Sequence, residues 1–514
     1  MEGQALQARR NPWLAVLAAG VIALALWKLQ AERAGIGIST LDVQGIPVTI
    51  YRPASGAPAP LVLIAHGFAG SQQLMQSFAL SFARNGYMAV TFDFPGHGRN
   101  ATPLTGSITD ANGATRTLLD SMRRVAAAVR PLGDGRFAVL GHSMASDIVI
   151  RYAQQTPDVA ATIAVSMFSP VVTAVSPRNL LIIVGDWEPM LKREALRAVG
   201  LAVQPRSAAP GVTYGDFAAG TARRATFSAH VEHATVLFSQ DSTREAIGWL
   251  DQVFGIRRST PPRLDASGPW ILLLVAGIVA LARPLSSLLP RVTPTPVGAG
   301  LPWRRLALPL LLPMIATPLL LRVLPTHFLP VLVGDYLAAH FALYGLLTAA
   351  CLRTVRGPGW LAGIRPASLA SFALATLLVI AYGFIGLVWP INRFVTSFVP
   401  GPERLLLVLA LLVGTLCFFL SVEWLTRGVA AARGGYATAK FAFLCSLGLA
   451  VALNFERLFF LIIIVPVIML FFLIYGLFSR WVYLRTGSPL VAGIANAVAF
   501  AWAIGVTFPL LAGK

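Results

Sequence analysis

Charge is what this 514-residue chain has least of. Asp, Glu, Lys and Arg together make up 12% of it, against 56% hydrophobic residues, whereas a soluble globular protein carries about 25% charged residues. Much of the chain is therefore built for a solvent other than water. The shortage is local: residues 36–255 keep the mixed polarity of a soluble domain, and from Pro269 onward the sequence is a series of apolar runs. Acidic residues are the scarcer sign, 22 against 41 Lys and Arg, for a formal charge of +19. The arginines mostly stand singly between apolar runs, with no basic cluster interleaved with exposed aromatics, which argues against a nucleic-acid partner.

Cysteine is nearly missing too. Cys351, Cys417 and Cys445 all lie in apolar runs, and the polar region has none. That region can hold neither a disulfide framework nor a thiolate zinc site. The three thiols read as small buried apolar groups.

What is abundant is apolar runs long enough to span a bilayer, which takes about 20 residues in a helix. Nine candidates fall at 12–29, 269–289, 306–324, 328–352, 368–390, 405–425, 437–455, 458–478 and 489–511. The seventh has a short apolar core and reads as either a span or a re-entrant segment. The first follows Arg9 and Arg10, and "WKLQAERAG" after it offers no small-residue cleavage site, so it reads as an uncleaved signal anchor rather than a removed signal peptide. With the start of the chain (1–11) in the cytoplasm, the inside loops hold Arg9, Arg10, Arg291, Arg304, Arg305, Arg353, Arg356, Arg365, Arg427, Arg433, Lys440, Arg480 and Arg485. The outside holds Arg322, Arg393, Arg404, Arg457 and Lys514, so the count is thirteen against five. That asymmetry satisfies the positive-inside rule and puts the domain at 36–256 outside the cytoplasm. The expected organisation is a cytoplasmic start, an anchor at 12–29, the polar domain, a linker at 257–268 and a membrane domain of about eight helices at 269–511, in a plasma membrane of bacterial inner-membrane type.

In the polar domain, near-continuous apolar strands alternate with helical stretches, which argues a parallel sheet covered on both faces. Its chemistry belongs at the carboxyl ends of the strands. Three turns follow strands in order: "HGFAG", "DFPGHG" and "GHSMAS". The last is nearly the G-x-S-x-G nucleophile elbow, with Ala145 at the second glycine position, one methyl group larger; a plain strand-to-helix turn serine is the alternative. These ordered motifs resemble the α/β-hydrolase superfamily of esterases, lipases and serine peptidases over about two-fifths of the chain.

The resemblance implies a Ser-acid-His order. Ser143 takes the place of the nucleophile, which needs a base to accept its proton. Of the two late histidines, His233 stands nearer the last helix, as the family's catalytic histidine does, and His230 reads as a polar loop residue. For the acid, the family's spacing after "LLIIVG" favours Glu188, followed by Pro189, while Asp186 competes as the commoner residue type directly at the strand end. The backbone N–H groups of Phe68 and Met144 would hold the oxyanion. His66, His97 and His142 fall in loops that shape the rim, without a proton-transfer role. Only about ten residues separate the strand ending near Phe168 from the one starting near Asn179, too few for a lid domain.

Among the apolar runs, Asp335, His340, Glu423, Arg427 and Asn496 stand out, because ionisable groups inside a membrane are candidates for function. Glu423 and Arg427 are one helical turn apart and can pair. "SVEWLTRG" and "YLRTGSPLVAGIANAVAF" resemble a decayed form of the CPBP family of intramembrane proteases. Its paired glutamates would fall on Val422 and Glu423 and its later histidine on Asn496, so one glutamate and the histidine are missing, which argues against a working metal-type site.

The expected function is a membrane-anchored serine hydrolase cleaving ester or related acyl bonds, without metal or organic cofactor. Its partners would be membrane lipids and a lipid or acylated envelope substrate. An acyltransferase using the same triad, and a transporter or binding protein with a non-catalytic hydrolase-like domain, are the competing readings.

Overall fold

Strand residues that alternate between two buried faces explain how the polar domain is layered. The computed structural model describes residues 12–106, 113–203 and 207–512; Arg9, Arg10, the expected cytoplasmic stretch and Lys514 lie outside the described residues. The strands are β1 (Gly37–Val43), β2 (Ile46–Arg52), β3 (Leu61–Ala65), β4 (Met88–Phe92), β5 (Phe137–His142), β6 (Val159–Val165), β7 (Leu180–Gly185), β8 (Thr213–Tyr214) and β9 (Arg223–Ser228). An apolar helix, α1 (Pro12–Ala31), precedes them, and the helices of this half are α2 (Gln76–Arg84), α3 (Ala114–Val129), α4 (Met144–Gln154), α5 (Pro189–Gly200) and α6 (Gln240–Phe254).

The nine strands form one sheet in the order β1-β2-β4-β3-β5-β6-β7-β9-β8. From β4 through β9 neighbours run parallel; β1, β2 and β8 join antiparallel. Along β3, Leu61, Leu63 and Ala65 pack with Leu118 and Met122 of α3 and Ile148 and Val149 of α4. Val62 and Ile64 point the other way, into a cluster with Phe78 and Phe82 of α2 and Ile247 and Leu250 of α6. The two-residue period of a strand thus feeds two cores at once, which is why these strands are apolar at every position. The order in which strands are added reverses at β3, which pairs β4 on one side and β5 on the other, in register Ala65↔Phe92 and Ala65↔Gly141. That reversal opens the crevice in which such sheets hold their ligands.

Contacts divide the molecule into two units. Of the described residues, those within 24–272, together with 391–398 and 509–512, make the hydrolase-like unit; 12–23, 273–390 and 399–508 make the helical one. Among the described residues nine helices are long and apolar enough to cross a membrane: Pro12–Ala31, Ser267–Ser286, Trp303–Val323, Gly334–Arg356, Leu369–Phe394, Pro402–Thr426, Gly435–Leu453, Phe460–Thr486 and Pro489–Thr507. The fourth starts at Gly334 rather than near 328, because Pro325 and Pro330 break up the preceding stretch and Val333 takes a left-handed φ of 65°. The eighth runs past its apolar segment to Thr486, where left-handed Gly487 ends it. In the helical unit, a methyl group on Gly345 would sit 2.2 Å from the Cys417 backbone, and one on Gly414 would sit 2.3 Å from the Ala338 carbonyl. These glycines let two helices approach to backbone contact.

The helical unit also buries a polar cluster. Glu423 accepts from Tyr436 Oη at 2.8 Å, Ser479 Oγ at 2.7 Å, Asn496 Nδ2 at 3.4 Å and Arg427 Nε at 3.4 Å. Arg427 also donates to Ser479 Oγ at 2.8 Å. His340 Nε2 lies 3.0 Å from Ser446 Oγ, and Asp335 accepts from its own helix's Tyr336 N–H at 2.7 Å.

Candidate active site

The elbow begins where β5 ends. Ser143 has φ 53° and ψ −120°, a conformation an L-residue adopts only when its surroundings enforce it, and α4 starts immediately after it at Met144. Two hydrogen bonds enforce it: Ser143 N–H donates to the Val165 carbonyl at 2.9 Å, and the Ser143 carbonyl accepts from Ser146 N–H at 2.8 Å. The strand and helix then lie so close that a methyl group on Gly141 would meet the Ala145 carbonyl oxygen at 2.3 Å. The side chain of Ala145 points away from this contact. It is fully buried in the core beneath α3 and α4, so the second small position tolerates a methyl group where the first does not.

His233 reaches the elbow from the loop after β9. Its Nε2 is 2.8 Å from Ser143 Oγ, and its Nδ1 is 2.6 Å from Glu188 Oε1. The other Glu188 oxygen accepts from Ser166 Oγ at 2.7 Å and Gly185 N–H at 2.8 Å. Glu188 is therefore fixed at both oxygens, its loop is pinned where Trp187 N–H meets the Val231 carbonyl at 3.1 Å, and the imidazole carries its proton on Nδ1. Glu188 is buried, while the His233 side chain keeps 23% of its surface exposed. The chain of hydrogen bonds so runs from the interior outward and ends on a hydroxyl at the surface of the crevice.

The other candidates lie elsewhere. Asp186 is exposed and paired with Lys192 Nζ at 2.6 Å, a hydrogen bond that holds its carboxyl below the usual range. His230 is exposed, with a left-handed φ of 58°, and makes no contact with the serine. Met144 follows Ser143 directly, and Phe68 stands in the loop after β3. The loop after β3 comes so near that a methyl group on Gly67 would sit 2.9 Å from Ser143 Cβ, and Met144 is the first residue of α4, where backbone N–H groups lack helical partners.

The rim histidines fasten loops. His66 Nε2 accepts Phe94 N–H at 3.1 Å and its Nδ1–H meets the Gly67 carbonyl at 2.8 Å, tying the turn after β3 to the turn after β4. Burial lowers its pKa, as the neutral form requires. His97 packs against His66 and Phe68. His142 Nε2 lies 2.9 Å from the backbone carbonyl of His233 and must carry the proton to donate there. Burial first, and then the neighbouring His233, push the His142 pKa well below the ordinary 6.5. In "DFPGHG", Asp93 accepts Gln72 N–H at 2.7 Å and Arg99 N–H at 3.0 Å, and a methyl group on Gly98 would meet its carboxylate at 2.4 Å.

Sequence reasoning missed two supports. Ser166 stands in "VSMFS" with no motif to mark it, and only its place at the end of β6, next to β7, could have suggested it. The role of His142 as a brace on the His233 backbone has no local signature either. Among the described residues no three His, Cys, Asp or Glu side chains are placed together to hold a metal ion.

Residues 60–196 match the family model described as the alpha/beta hydrolase fold. No curated protein matches the chain. Among solved structures, a Thermus thermophilus protein shares 16% identity over 43% of this chain and 99% of its own, with a TM-score of 0.33. A bacterial membrane phospholipase A shares 15% identity over 46% of this chain and 93% of its own, with a TM-score of 0.33. An epoxide hydrolase of Vigna radiata shares 24% identity over 26% of this chain and 40% of its own, with a TM-score of 0.22. At these scores the likenesses carry nothing about substrate. With the mostly parallel sheet and the matched segment together, the chain has an α/β-hydrolase fold, joined to a helical C-terminal region with several long apolar helices.

Proposed function

We propose that this protein is a membrane-anchored serine hydrolase that cleaves ester or related acyl bonds. The observation that carries the reading is the relay Glu188–His233–Ser143, with steps of 2.6 and 2.8 Å, ending on a serine in an enforced positive-φ turn. Ser143 Oγ attacks the acyl carbonyl while His233 Nε2 takes its proton. Glu188 orients the ring and stabilises the imidazolium that forms. The backbone N–H groups of Phe68 and Met144 receive the oxyanion, and each such donor is worth about 3 kcal/mol. The tetrahedral intermediate collapses, the leaving alcohol departs with the proton from His233, and water then cleaves the acyl-serine by the same path.

The nine apolar helices support a multi-pass membrane protein. The arginine asymmetry supports a cytoplasmic start and an extracytoplasmic hydrolase unit in a bacterial inner membrane. The substrate class we assign is a lipid or acylated envelope component. The CPBP resemblance of the last spans adds no second activity.

Fluorophosphonate labelling of the full chain in native membranes tests the reading. Parent protein takes up the probe, and Ser143→Ala and His233→Ala do not. Labelling that persists in Ser143→Ala, or is absent from folded parent, overturns it.

A further inference from the structure

The loop that carries Phe68 is strained just beyond it. Ala69 has a left-handed φ of 55°, which a residue with a side chain keeps only where its surroundings enforce it. One enforcing bond is local, from Gly70 N–H to the Gly67 carbonyl at 3.1 Å. The others come from far along the chain, from the stretch 391–398 of the same unit. Ser71 Oγ meets Thr396 Oγ1 at 2.9 Å and accepts Ser397 N–H at 2.8 Å, and Ser397 Oγ donates to Gln73 Oε1 at 2.7 Å. Ser71 and Ser397 are buried, so water does not replace a lost partner and the group is left unpaired.

A second distant stretch, 509–512, also belongs to this unit and fastens the turn against which Phe68 packs. The Phe68 ring meets His97 edge-on, with centroids 6.2 Å apart, in the turn after β4. Leu510 N–H donates to the Gly96 carbonyl at 2.9 Å, and the Leu510 carbonyl accepts Leu104 N–H at 2.8 Å. Gly96 makes room for this: its φ is 73°, and a methyl group there would sit 2.4 Å from the Leu510 carbonyl oxygen. Leu511 bridges to Leu104 and packs, as Met144 does, on the core beneath α3 and α4. Residues 263–265 are fastened to this unit as well, where Asn85 Nδ2 donates to the Arg263 carbonyl at 2.9 Å and Asn85 Oδ1 accepts Arg263 N–H at 3.1 Å. That attachment lies at the far end of α2 from the Phe68 loop.

We propose that Thr396, Ser397 and Leu510 are positioning residues for the oxyanion hole, holding the Phe68 N–H where the tetrahedral intermediate needs it. The proposal rests on the serine-hydrolase reading of the site. Such a donor acts only within hydrogen-bond distance of the place the oxyanion will take. A displacement of about 1 Å costs about a hundredfold in rate. Releasing either stretch lets the loop relax from its left-handed turn, while the relay Glu188–His233–Ser143 keeps its own bonds.

Hydrolysis of a p-nitrophenyl ester by the full chain in detergent tests this, with active sites counted by fluorophosphonate labelling carried to completion. Thr396→Val/Ser397→Ala and, separately, Leu510→Pro, which cannot donate to Gly96, each lower kcat per labelled site by about tenfold or more. KM stays within about twofold, as for an interaction made only in the transition state. The pH profile of kcat/KM keeps its parental limbs. Affinity for a trifluoromethyl ketone falls by the same factor as kcat/KM. Ser143 Oγ adds to the carbonyl of that inhibitor, His233 takes the proton, and the hemiketal oxyanion needs the same N–H groups. Thr396→Ser keeps the hydroxyl and the parental rate. Asn85→Ala, at the far end of α2, leaves kcat within about twofold, because it loosens the unit without touching the Phe68 loop. Parental kcat in both test variants, a loss confined to KM or to the count of active sites, or an equal loss of kcat in Asn85→Ala overturns the proposal and leaves the hydrolase reading standing. Folded parent that takes up no fluorophosphonate overturns both.

Discussion

Two buried carboxylates, Glu188 in the hydrolase unit and Glu423 in the helical unit, make a comparison. Each is held at both oxygens by hydroxyl and nitrogen donors. At Glu188 one donor is an imidazole whose far nitrogen continues to a serine at the crevice surface. At Glu423 the donors close on one another, since Arg427 and Ser479 share a bond of their own. An open chain can pass a proton to a substrate. A closed one spends every donor inside and locks helices together. The Glu-x-x-x-Arg spacing and the Ser-acid-His order look equally suggestive as sequence, and only the endpoint of the network separates them.

The comparison can be broken in several ways, of which the largest is at Glu188. Glu188→Gln should lower kcat by about 10³–10⁴ with folding retained, because the His233 tautomer and the stabilised imidazolium are lost. Glu423→Gln should leave the rate within about threefold. A large loss of rate in folded Glu423→Gln would mean that the closed network also serves catalysis. Glu423→Ala should instead cost about 3 kcal/mol of stability, read by thermal unfolding in detergent, by leaving the part-buried Arg427 without its counter-charge.

A pH test comes next. His66 and His142 have folded pKa values below the ordinary 6.5. Below that value the unfolded chain binds more protons than the folded one. Stability is thus full above pH 6.5 and falls as pH drops, by at most about 1.4 kcal/mol per pH unit for each group. Hydrogen exchange of β3 and β5 amides at mildly acidic and neutral pH should show this, and His142→Asn should remove about half of the slope. Ser166→Ala should cost about tenfold in kcat/KM, the worth of one hydrogen bond to a charged group. The smallest effect belongs to Ala145→Gly. Fluorophosphonate labelling should persist and stability fall by about 1 kcal/mol, from a glycine in the first turn of a helix and a lost buried methyl group.

How far the sequence could be read depended on how local each signal was. The strands of the sheet centre were legible because both of their faces are buried, so they stand out as unbroken apolar runs. The hairpin of β1 and β2 was not, since β1 is an edge strand with most of its residues exposed. Ser143, His233 and Glu188 were legible through the family resemblance, with Asp186 left as a competing acid, and they lie together. Ser166 was not, because it stands in an unmarked loop and its partner is a side chain 22 positions away. Least legible were the stretches at 391–398 and 509–512. Ser71 and Thr396 are 325 positions apart, and nothing in either segment's own pattern announces the other.

Those stretches also bear on how the protein is made. A ribosome delivers β1 through β9 long before it reaches Thr396, and Leu510 later still. The loops after β3 and β4 therefore wait, with Ser71 and Gly96 lacking their eventual partners, until most of the apolar helices have been synthesised and inserted. Completion of the hydrolase unit is a late event in biogenesis, so errors in inserting the last spans should appear as a defective hydrolase unit before its own sequence is altered.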